Sequence, residues 1–163
     1  MKNLTATYKG LLTGVLMVLI SIGIFFYKGN FENNLQYITY FVYIAGIVWT
    51  LIAFKQSAEE NKSFKNYFSQ GFKCFIVVTA IMVAFTFIFL KMNPALQQEM
   101  AQNTRAELLK SGNKTAQEID TIVATSEKYF IPILTSMAIF GYLFIGALVT
   151  VIAATFLSQQ KKV

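Results

Sequence analysis

Four long stretches of the chain carry no charged residue, and polar residues gather between them. The uncharged runs cover residues 10–27, 35–54, 74–90 and 130–157. A helix rises about 1.5 Å per residue and a bilayer's hydrocarbon core is about 30 Å thick, so roughly 20 residues cross it. The first and third runs are near the short end, and the fourth is long enough to tilt. Val15-Leu16-Met17-Val18-Leu19-Ile20 does not alternate apolar with polar, as a barrel strand would. Lys2, Lys9 and Ser21-Ile22-Gly23 imitate a cleaved leader, but Ile24-Phe25-Phe26 prolongs the apolar run past that point. The pattern predicts an all-α integral membrane four-helix bundle in a single domain over residues 1–163.

The connections carry structure of their own. The first is short, so the first two spans form an antiparallel hairpin. In the second, Phe64, Tyr67, Phe68, Gly71, Phe72 and Phe75 recur at helical spacing behind Ser63, a candidate N-cap. This predicts an interfacial amphipathic helix over 63–73, running obliquely into the third span near Gly71 to Cys74. Phe64, Tyr67, Phe68 and Phe72 are its lipid-interface residues, with Lys62 and Lys65 reaching for headgroups. The third connection is too long to be bare. Asn93-Pro94 reads as a helix start, Ser111-Gly112 as a stop and Thr115-Ala116-Gln117-Glu118 as a capping box. Behind the box, Ile119, Ile122, Val123, Ser126 and Phe130 share one face. The segment therefore predicts a helical hairpin over 94–128, with helices near 94–110 and 116–128.

Composition narrows the function. Apolar residues make up 55% of the chain, charged residues 13% and aromatic residues 15%. The charge is about half that of a soluble domain. A net charge of +6 suits basic residues flanking membrane spans, so no nucleic-acid partner is expected. Four spans place both termini and the middle connection on one side. That side holds Lys2, Lys9, Lys55, Lys62, Lys65, Lys73, Lys161 and Lys162 against Glu59 and Glu60. The positive-inside rule makes it the cytoplasm and puts the 94–128 hairpin outside.

Candidate chemistry is sparse. The chain has no histidine and one cysteine, Cys74. This removes the commonest general base and the commonest metal ligand, and rules out an intrachain disulfide. No Asp, Glu, Lys or Arg lies inside a run, which argues against a proton-coupled exporter. Ser21, Thr39, Thr79, Thr86, Thr135, Ser136, Thr150 and Thr155 could line a path, but the structural reading is that they bond backbone or a neighbouring helix. Gly10 and Gly14 form a GxxxG pattern, and Gly146, Thr150 and Ala154 form a small-residue stripe. Both read as helix-packing surfaces within the bundle, with homo-oligomerisation as the alternative. The acidic residues Glu99, Glu107, Glu118, Asp120 and Glu127 read as solvated helix faces. No catalytic residue, cofactor or metal is expected.

Several segments carry a family resemblance. They are Ser63-Phe64-Lys65-Asn66-Tyr67-Phe68-Ser69-Gln70-Gly71-Phe72, Asn93-Pro94, Gly112-Asn113-Lys114-Thr115-Ala116-Gln117-Glu118-Ile119, and Gly146-Ala147-Leu148-Val149 with Ile152, Ala153 and Ala154. In these the chain resembles the bacterial four-helix membrane family called domain of unknown function 4199. The resemblance implies a bacterial inner-membrane protein and supplies no activity. The leading expectation is a non-catalytic protein that packs with a partner in a membrane complex. The alternative is a small oligomeric transporter or channel.

Overall fold

The computed structural model describes residues 4–28, 36–58 and 62–159. Among these there are five helices and no strand: α1 Ala6–Lys28, α2 Gln36–Lys55, α3 Phe64–Met92, α4 Pro94–Ser111 and α5 Ala116–Gln159. Four of them, α1, α2, α3 and α5, are long and apolar enough to cross a membrane. The fold is an all-α membrane helical bundle. The first connection, and positions 33 and 61, lie outside the described residues.

Solvent exposure on the long helices fits lipid and not water. Phe26 on α1 is 83% exposed, and Phe140 and Phe144 on α5 are 73% and 70% exposed. A soluble protein rarely shows apolar patches of this extent.

The residues form two compact units, one up to Met82 together with those from Ile139, the other Val83–Ala138. In the first unit, Met17, Tyr43, Ile47, Leu51, Tyr67, Phe75 and Val78 fill the core. The Tyr43 hydroxyl donates to the carbonyl oxygen of Tyr142 at 2.9 Å, and the two rings meet edge to face at 5.6 Å. This ties α2 to α5. At the start of α1, the Thr5 hydroxyl caps the helix by accepting from the Tyr8 amide at 3.3 Å.

α3 is one helix from Phe64 onward, with no separate oblique segment before Gly71. The backbone ladder runs through because nothing between Ser63 and Cys74 interrupts it; the carbonyl of Ser63 already accepts from Asn66 and Tyr67.

The second unit is built on α4 and the start of α5. Ala101, Ile119 and Val123 form its buried cluster, with Leu108 packed against them. Gly112, at φ 64, ends α4 in the left-handed conformation that glycine adopts without strain. Thr115 and Glu118 exchange capping bonds: the Thr115 amide donates to the Glu118 carboxylate at 2.7 Å, and the Glu118 amide donates to the Thr115 hydroxyl at 3.3 Å. The start of α4 differs from its reading as an Asn-capped helix. The Asn93 side chain makes no capping bond to α4 and instead donates to the carbonyl oxygen of Phe89 at 2.8 Å. It satisfies the end of α3, where carbonyls lack partners, while Pro94 has no amide hydrogen to be capped. Pro132 lies inside α5, so the ladder lacks one amide donor there.

Candidate functional site

The small residues of the first unit set how closely its helices approach. A Cβ built on Gly10 would stand 2.6 Å from the Cys74 carbonyl oxygen, and one on Gly14 would stand 2.7 Å from the end of the Ile81 side chain. Both glycines of the GxxxG pattern therefore face α3. Gly146 faces Tyr43 and Phe75, Thr150 lies over Gly71, and Ala154 is fully buried. Gly46, which the sequence pattern did not single out, receives the side chain of Thr13.

Sequence reasoning passed over two hydroxyls. Thr13 donates to the carbonyl oxygen of Lys9 and Thr50 to that of Gly46, each at 2.9 Å. The Thr50 oxygen also lies 3.3 Å from the Cys74 sulfur. These bonds occupy hydroxyls inside an apolar interior, as the structural reading of the in-span hydroxyls supposed for others. Thr135 and Thr150 are different: their hydroxyls are buried without a hydrogen-bond partner among the described residues. Cys74 is buried too.

The aromatic face of α3 divides. Phe64 and Phe72 are exposed and stack through Phe68, with ring centroids 6.1 and 6.2 Å apart along the row. Tyr67, assigned to the same lipid interface, is instead 1% exposed and meets Phe54 edge to face at 5.0 Å. It points into the bundle because its helical position lies one step around from the Phe row. Lys65 is exposed. Lys62 donates to the carbonyl oxygens of Lys55 and Ser57 at 2.7 Å each. Its ammonium thus closes the C-terminal end of α2, where the helix dipole favours a cation.

Beside that cap lies a cavity of about 450 Å³, bounded by the first residues of α1, the end of α2 and the first turns of α3. Lys9 and Lys73 line it, with Thr5, Thr7, Thr50, Ser57 and Gln70. Lys9 is only 7% exposed, and its ammonium lies 5.7 Å from the centre of the Trp49 ring. No carboxylate lines the cavity, and no Asp or Glu occurs among the described residues of the first unit.

The described acidic residues all belong to the second unit. There, Arg105 pairs with Asp120, both well exposed, and Gln97 donates to the Glu127 carbonyl at 2.8 Å. A shallow groove between α4 and α5 is lined by this ion pair and by Gln98, Gln102 and Glu127. The Glu118 carboxyl sits below its ordinary range, chiefly because the Thr115 amide and hydroxyl donate to it, with help from the charge of Lys114. Among the described residues no group of His, Cys, Asp or Glu could hold a metal.

No curated protein and no solved structure is similar to this chain. Residues 8–159, which take in the packing glycines, Lys9, Lys73 and the hairpin, match the family described as Protein of unknown function (DUF4199), and the chain belongs to that family.

Proposed function

We propose that the chain is a non-catalytic protein of a bacterial inner membrane, with both termini in the cytoplasm, that serves as a packing or assembly partner in a membrane complex. The observation that carries this reading is the filled interior of the first unit. Met17, Tyr43, Ile47, Leu51 and Val78 are buried side by side, with Thr50 and Thr150 closed in among them. A conducting path needs polar groups arrayed along a wet passage. A core of this kind offers none within one copy, and no Asp, Glu, Lys, Arg or His interrupts the four apolar runs. This disfavours the alternative of a small transporter. What the protein offers is its outer surface: long apolar faces to lipid or to another membrane helix, and the α4–α5 hairpin.

Cross-linking in native membranes, followed by mild solubilisation and native electrophoresis, tests the proposal. The chain should migrate in a discrete assembly larger than a monomer. Recovery as a bare monomer, combined with solute flux into proteoliposomes that contain only this chain, would replace the assembly reading with a transport one.

A further inference from the structure

Among the described residues of the first unit, the cavity beside Lys9 gathers two cations with no carboxylate facing them. Lys9 comes from α1 and Lys73 from α3, so two helices supply the cations independently. Placing Lys9 where it is 93% covered costs desolvation energy unless an anion or acceptor meets it. The Trp49 face offsets part of that cost but is not a counter-ion.

Of the other polar lining groups, three keep a proton to donate and two do not. The hydroxyl protons of Thr50 and Ser57 are committed to the carbonyls of Gly46 and Phe54. Thr5 accepts from the Tyr8 amide, which leaves its own proton to donate. Thr7 and Gln70 add further donors. The start of α1 borders the same space, and a helix N-terminus favours negative charge. The opposing negative end of α2 is capped by Lys62.

We propose that this cavity binds a phosphate group, held by Lys9 and Lys73 and by the hydroxyl and amide donors around them. A phosphate accepts several charge-assisted bonds at once, which two ammonium groups supply, with Thr5, Thr7 and Gln70 as neutral donors. The volume exceeds that of the phosphate alone and leaves room for part of the molecule that carries it. That molecule is either an anionic phospholipid, whose headgroup lies at the depth where a span begins, or free inorganic phosphate.

The test uses the full chain in an uncharged detergent. Phosphatidylglycerol in mixed micelles and, separately, inorganic phosphate are titrated while thermal stability and native mass spectra are recorded. One probe should bind saturably. Binding of phosphatidylglycerol alone identifies the lipid source, and binding of inorganic phosphate identifies the free one. Lys73→Met should weaken that binding roughly tenfold, as loss of one charge-assisted contact does. Lys73→Arg should restore most of it. Lys9→Met should weaken it at least as much; if that variant does not fold, the exposed Lys73 carries the test. Lys65→Met, outside the cavity, should change nothing. The proposal is overturned if neither probe binds saturably. It is equally overturned if Lys65→Met weakens binding as much as Lys73→Met, since the attraction would then be diffuse surface charge.

Discussion

A methyl group added at Gly10 would meet the backbone of Cys74, with 2.6 Å to its carbonyl oxygen and 3.2 Å to its Cα. Backbone cannot turn aside as a side-chain end can, so α1 and α3 would have to separate. Gly10→Ala should therefore cost about 1–3 kcal/mol in thermal unfolding in detergent, the usual range for overpacking. Gly23 and Gly141 have open space where a Cβ would go. Alanine at either should be neutral or stabilising by up to about 1 kcal/mol, because glycine weakens a helix interior. Thr150 supplies a second contrast. Its hydroxyl is buried with no partner among the described residues, so Thr150→Val should leave stability equal or raise it. Thr50→Val should lower it by roughly 1 kcal/mol, since it deletes the bond to the Gly46 carbonyl. Equal losses at both positions would refute the distinction. Little at this scale was legible from the sequence beyond the spaced glycines. Hydropathy treats a threonine as near neutral and does not say which neighbour it meets, so Thr13 and Thr50 carried no signal. Lys9 registered as one more basic residue at a span's edge.

At the scale of elements, capping chemistry was the most readable signal because it depends on residues three or four apart. Thr115 and Glu118 make the two reciprocal bonds that their spacing implies. The Glu118 carboxyl is held below its ordinary value of 4.5 by the bonds it accepts from the Thr115 amide and hydroxyl. A lowered folded value means that its contribution is complete above that ordinary value and is lost as pH falls through the depressed one. Protection of the residue 115–118 amides, taken relative to the intrinsic exchange rate at each pH, should therefore fall on acidification below the ordinary glutamate range. Glu118→Gln, which keeps an acceptor but cannot titrate there, should abolish that dependence.

The face behind the box is also a matter of local period. Ile119 and Val123 are buried, and Asp120 and Thr121 are exposed. Ile119→Asp would place an unpaired charge in the cluster with Ala101 and Leu108. Limited proteolysis should then cut between residues 94 and 128 at protease levels that spare the unchanged chain. The aromatic face of α3 shows where periodicity runs out. Tyr67, Gly71, Cys74 and Val78, at offsets 0, 4, 7 and 11, are all buried, while Phe64 and Phe72 on the adjoining row are exposed. An amphipathic arc is wide enough for one edge to meet the bundle and the other the lipid. Counting offsets from Phe64 merged the two rows into one.

For the whole molecule, the distribution of charge and the apolar runs speak to different questions. The runs required four long apolar helices, because no other all-helical arrangement satisfies so many backbone groups in lipid. They say nothing of direction across the membrane. Direction is argued from the lysines. Lys9, Lys55, Lys62, Lys65 and Lys73 belong to the residues before Met82, with no Asp or Glu described among them, while Val83–Ala138 holds five carboxylates beside its basic residues. Basic residues near span ends are retained in the cytoplasm, and long connections count less in setting orientation. Single cysteines introduced at Asn61 and Gly112 in a Cys74→Ser background should therefore report opposite sides. Serine can still accept from Thr50 at the site of the replaced thiol, so the background variant should insert normally. In intact spheroplasts a membrane-impermeant maleimide should modify position 112 and leave position 61 untouched until the membrane is opened. Modification of position 61 from outside, with position 112 protected, would invert the orientation and move the Lys9 cavity to the outer face. It would also remove the cytoplasmic assignment of both termini, because four spans keep them on the side of position 61.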